Sequence, residues 1–132
     1  MGPATVLRVI DSVTELRPSD RGCVAVTGSH GGVSAARHAL AARPLLSVFN
    51  DAGVGREAAG IAALALLQDA GLACCAVSHA SARIGDARST LDDGVIGHAN
   101  DAAAALGVAA GQRCRDAVSR LLGATSLPEE RA

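Results

Sequence analysis

Three turns in the sequence combine side chains able to move protons with glycines or small residues. They are Ser29-His30-Gly31-Gly32, Asn50-Asp51-Ala52-Gly53-Val54-Gly55 and Ser78-His79-Ala80-Ser81-Ala82-Arg83. An imidazole beside glycine amides suits acid–base work next to an oxyanion. We expect His30 and His79 as acid–base groups and Asp51 as the carboxylate that orients a histidine or serves as the base itself. Ser29, Gly31, Gly32, Asn50, Ser78, Ser81 and Arg83 are then the substrate contacts. The Arg83 guanidinium has the two-pronged geometry that fits a carboxylate or phosphate, so the expected substrate is a small anion.

Each of these residues has a plainer reading. The glycines serve a tight strand-to-helix turn, Asp51 an Asx-turn or helix N-cap, and Arg83 a surface ion pair with Asp86. Ser29 and Ser78 are nucleophile candidates without an evident base. His38 and His98 fall in stretches read as helical, away from the turns. A two-histidine, one-carboxylate metal face would have to draw its ligands from three separate segments, with no HxH or HExxH spacing, so no metal is expected. Neither a Walker-type nor a GxGxxG spacing occurs, so no nucleotide cofactor is expected.

The apolar runs before these turns, Cys23 to Thr27, Leu45 to Phe49 and Leu72 to Val77, have the continuous hydrophobicity of strands buried on both faces of a parallel sheet. Thr5 to Ile10 supplies a further strand, and 11–22 reads as a loop with one helical turn. Helices are expected over Val33 to Ala42, over Gly55 to Ala70 with Gly71 just beyond, and over Gln112 to Leu122. A stripe of Leu91, Val95, Ala99, Ala102, Ala103 and Leu106 predicts one more, started by Thr90 and Asp92-Asp93 and closed by Gly107. The fold class is therefore α/β: a three-layer sandwich with a small, mainly parallel sheet of three or four strands and helices on both faces. In such a sheet the strand carboxyl ends share one rim, where ligands bind. A small sheet with exposed edges also favours a homo-oligomer.

At 132 residues the chain is expected to form a single domain over 1–132, with an N-terminal strand and loop over 1–22 and a frayed tail over 124–132. A net charge of −1 and 1% aromatic residues offer neither a basic footprint nor stacking platforms, which disfavours nucleic acid as a partner. No signal-like start and no spanning apolar run are present, so a cytoplasmic protein without a membrane partner is expected. Cys23, Cys74, Cys75 and Cys114 lack CxxC spacing and read as packed thiols, with Cys74 and Cys75 on opposite sheet faces.

Ser29-His30-Gly31 and Asn50-Asp51-Ala52-Gly53-Val54-Gly55 resemble, over residues 25–77, the caspase-like fold in its bacterial CHAT branch. There one strand ends in His-Gly and the next in a cysteine-bearing turn before an Ala/Leu-rich helix. The resemblance implies an α/β architecture and carries His30 over. The nucleophilic cysteine has no counterpart, since Ala52 or Asp51 stands in its place, and thiol proteolysis does not carry over.

The function read from these residues is a small-molecule enzyme doing acid–base chemistry on an amide-like or carbonyl substrate, with hydrolysis favoured. A lyase or isomerase is the alternative. A non-catalytic metabolite-binding module, or a subunit of a larger enzyme, is the reading from another class.

Overall fold

The computed structural model describes residues 5–123. The tail expected to fray over 124–132 lies outside the described residues. Five strands, β1 (Leu7–Ile10), β2 (Val24–His30), β3 (Leu46–Asn50), β4 (Ala73–Val77) and β5 (Ile96–Ala99), form one sheet in that spatial order. The first four are parallel and β5 runs antiparallel to β4. Every residue of β3 and β4 is buried, which is what their unbroken apolar runs require. The sheet is thus mainly parallel, with one strand more than the upper count expected.

A sequential order decides where the helices lie. When each parallel strand is added beside the last with right-handed crossovers, all the connections fall on one face. That face carries the 3-10 turns Val13–Glu15 and Pro18–Asp20, α1 (Val33–Ala42) and α2 (Ala62–Asp69). Its core joins Val13, Ala35, Ala36, Ala39, Ala63 and Leu67 to Phe49 and Cys74 of the sheet. The other face must be covered by the chain that follows β4, and it is: α3 (Ala87–Asp93) packs on β2 and β1, and α5 (Cys114–Leu122) on α3. Leu91, Ala103, Val108, Cys114, Ala117 and Val118 there meet Val26, Val48, Cys75 and Val77. Cys74 and Cys75 accordingly face opposite layers, as strand alternation predicts.

Two expected helices are corrected. The stripe from Leu91 to Leu106 is divided into the end of α3, the strand β5 and the short α4 (Asp101–Ala105). Gly94 caps α3, and a Cβ there would lie 2.3 Å from the Thr90 carbonyl, while Asn100 caps α4 by accepting from the Ala103 amide. The N-cap of α3 is Asp86, so Asp92 and Asp93 belong to its last turn, and His98 lies on β5 rather than in a helix. The helix expected from Gly55 begins as α2 only at Ala62, after a 3-10 turn over Arg56–Ile61. The chain between folds back over the tip of β3, so that a Cβ on Gly60 would sit 2.0 Å from the Asp51 carbonyl oxygen. Ala52, Val54 and Ala58 have φ of 51°, 68° and 59° there, a left-handed conformation that a β-branched residue such as Val54 rarely adopts.

Candidate active site

Strand register brings the three polar tips to one rim, since His30 pairs with Asn50 and Asn50 with Val77. Asn50 is fully buried and braces two of the tips. Its Nδ2 donates to the Ala82 carbonyl (3.2 Å) and its Oδ1 accepts from the Ala52 amide (2.8 Å), so the loops after β3 and β4 are held by one side chain. Both Ala52 and Ala82 line a cavity of about 570 Å3 that opens beside these loops, together with His79, Ala80, Ser81, Arg83, Ile84, Ser89 and Asp93.

Asp51, 6% exposed, lies outside the cavity lining, behind His79 and next to Ala52. Its Oδ1 accepts from the Gly53 amide at 2.8 Å, which is the Asx-turn, and from the His79 amide at 3.0 Å. The same oxygen lies 3.4 Å from Nδ1 of His79, whose side chain is 61% exposed. A carboxylate at that nitrogen favours the tautomer protonated on Nδ1 and leaves Nε2 as the basic atom of the ring. Asp51 therefore makes the structural turn and places a carboxylate oxygen 3.4 Å from a histidine nitrogen.

The other expected residues divide. Ser81 and Arg83 line the same cavity as His79, but the Ser81 hydroxyl donates to the Ser78 carbonyl and accepts from the Val95 amide. Ser78 Oγ accepts from the Ala80 amide. Ser29 Oγ accepts from the Val13 amide and anchors the 3-10 turn beneath it. His30 is outside the cavity lining, with its exposed ring folded over Gly32, where Nε2 lies 2.8 Å from the position of a Cβ. The amides of Gly31 and Gly32 donate to the Asn50 and His30 carbonyls, and those of Val54 and Gly55 to Asp51 and Gly53 carbonyls, so they are engaged within the fold.

Arg83 makes the ion pair that was the plainer reading: Nε and Nη2 reach Asp86 Oδ2 at 3.3 and 3.1 Å, with its side chain 79% exposed. The Ser89 amide and then the Arg83 guanidinium hold the Asp86 carboxyl below its ordinary value of 3.8. Burial pushes the Cys114 thiol up to about 12 and Cys23 to about 11, and raises Cys74 and Cys75 well above the ordinary thiol range, so none is a thiolate at neutral pH. Among the described residues no group of three or more His, Cys, Asp or Glu is placed to hold a metal ion, and no helix is long and apolar enough to cross a membrane.

Sequence reasoning missed Asp93, Ser89 and Ile84. Ser89 Oγ accepts from the Arg83 amide at 3.0 Å and donates to Asp93 Oδ2 at 3.1 Å, linking loop, helix and cavity. The loop itself hangs from β2, where the Gly85 amide donates to the Gly28 carbonyl and a Cβ on Gly28 would lie 2.4 Å from the Asp86 nitrogen. β2 runs past the expected end at Thr27 to His30, which puts Gly28 inside the strand, where a glycine marks the close approach of another backbone.

No family model matches this chain, and no curated protein or solved structure does either.

Proposed function

We propose that the chain is a small-molecule enzyme in which His79, oriented by Asp51, performs acid–base catalysis on an amide-like or carbonyl substrate bound in the neighbouring cavity. The observation that supports this is the contact between Asp51 Oδ1 and His79 Nδ1 at the cavity edge. Hydrolysis is favoured, with His79 Nε2 taking a proton from an attacking water. A water nucleophile fits the lining: the Ser81 and Ser89 hydroxyls are each engaged in two hydrogen bonds, and the thiols are buried. Arg83 keeps guanidinium N–H groups beyond those on Asp86, able to reach a substrate oxygen.

The test is amine release from a panel of short aminoacyl amides and acyl amides by the whole chain. His79→Gln should lower turnover by roughly 10²- to 10⁴-fold with the melting temperature unchanged. Turnover that survives in His79→Gln, or turnover of no member of the panel, overturns the reading.

A further inference from the structure

The charges around the cavity do not favour an anion. Arg83, the arginine in its lining, is already paired with Asp86. Its lining carboxylate, Asp93, is exposed and accepts a single hydrogen bond, from Ser89 Oγ, and makes no ion pair among the described residues. The contrast with the preceding residue is direct, because Asp92 pairs with both Arg88 and Arg115. Asp93 is also the last residue of α3, where a negative charge meets the negative end of the helix dipole and stabilises nothing. The remaining lining is aliphatic, from Ala52, Ala80, Ala82 and Ile84, the last 55% exposed. A cavity of about 570 Å3 is of the size that holds a small organic ligand.

We infer that Asp93 receives an ammonium or other N–H-rich group, so that the cavity takes a small aliphatic amine-bearing molecule rather than the simple anion the sequence suggests. The inference rests on this cavity being the site of the acid–base chemistry proposed above, and it names the substrate class: an aminoacyl amide or close relative. In that pose the amine meets Asp93, the aliphatic body lies on Ile84 and the alanines, and the carbonyl is left for His79 and Arg83.

The test measures binding of two probes to the whole chain by calorimetry. Leucinamide carries an ammonium, an amide and an isobutyl group, and 4-methylpentanoate keeps the isobutyl group but ends in a carboxylate. Leucinamide should bind at least tenfold more tightly, and Asp93→Asn should weaken it about tenfold, the loss of one charged hydrogen bond, without weakening 4-methylpentanoate. Asparagine retains an acceptor for Ser89 Oγ, and Asp116→Asn on α5 should change neither affinity. Equal or tighter binding of 4-methylpentanoate to the unmodified chain, leucinamide binding indifferent to Asp93→Asn, or no saturable binding of leucinamide overturns the inference. Measuring leucinamide affinity in His79→Gln separates the two readings. If turnover survives that change while the Asp93-dependent preference persists, the catalytic proposal fails and the amine site stands.

Discussion

Two buried asparagines mark opposite ends of the sheet. Asn100, beside the start of β4, uses its whole side chain: Oδ1 accepts from the Cys74 and Ala103 amides, and Nδ2 donates to the Leu64 and Leu72 carbonyls, all within 3.1 Å. Asn50, at the end of β3, makes one bond from each end of its amide, to Ala82 and from Ala52. The amino end is therefore a closed frame in which α2, β4 and α4 share one bracket. The carboxyl end is tied through Asn50 and through Asp51, whose Oδ1 accepts from the His79 amide, and a cavity opens beside the two loops. The same residue type serves rigidity at one end and access at the other, and the number of bonds it completes is what differs.

Removing each bracket tests that contrast. Asn100→Ala leaves two part-buried carbonyls and two buried amides without their side-chain partner and should cost about 4 kcal/mol, read as a large fall in the urea midpoint. Leucinamide affinity should be unchanged wherever the variant remains folded. Asn50→Ala should cost about 2 kcal/mol, and it should also weaken leucinamide because the Ala52 and Ala82 walls lose their common tie. If Asn100→Ala impaired binding as much as Asn50→Ala, the division between frame and site would be wrong.

Smaller effects sharpen the same picture. Cys74→Ala, on the face of α1 and α2, should cost about 1 kcal/mol for lost buried volume and leave turnover intact. Loss of turnover in a folded Cys74 variant would point to a thiol nucleophile. The least effect is expected from acid titration of the Arg83–Asp86 pair. The folded-state pKa of Asp86 is depressed, so its contribution is fully present above the ordinary value of 3.8 and is lost as pH falls through the lowered one. Melting curves between pH 5 and roughly pH 2 should therefore decline slightly less steeply for Asp86→Asn, which retains the α3 cap, than for the unmodified chain. A parallel decline would show that the Asp86 charge contributes nothing to this pH dependence.

The two asparagines also show what a sequence discloses. Asn50 and Asp51 are conspicuous because they interrupt an apolar run, and the parallel order with its shared rim follows from three such runs. Asn100 is concealed among alanines, which match a helical stripe at almost any spacing, so the four-residue strand β5 just before it is absorbed into an expected helix. Gly94, Gly97 and the Asn100-Asp101 cap were the contrary signals. Of the residues that line the cavity, the sequence singled out His79, Ser81 and Arg83, and it singled out Asp51 beside His79. It was not legible at Asp93, whose place on the cavity depends on α3 crossing back over the sheet, a long-range event that no local pattern encodes.

The loop from Ser78 to Asp86 is held by main-chain contacts through Gly28 and by the Asn50, Ser81 and Ser89 side chains, and Ile84 takes no part in holding it. Its shape and its chemistry are therefore separable. Ile84 and the exposed Arg83 side chain can be exchanged for other residues while the walls keep their spacing, and on the proposed function such single substitutions change specificity. Gly28 and Asn50, which lie outside the cavity lining, are the positions at which the same experiment would dismantle it.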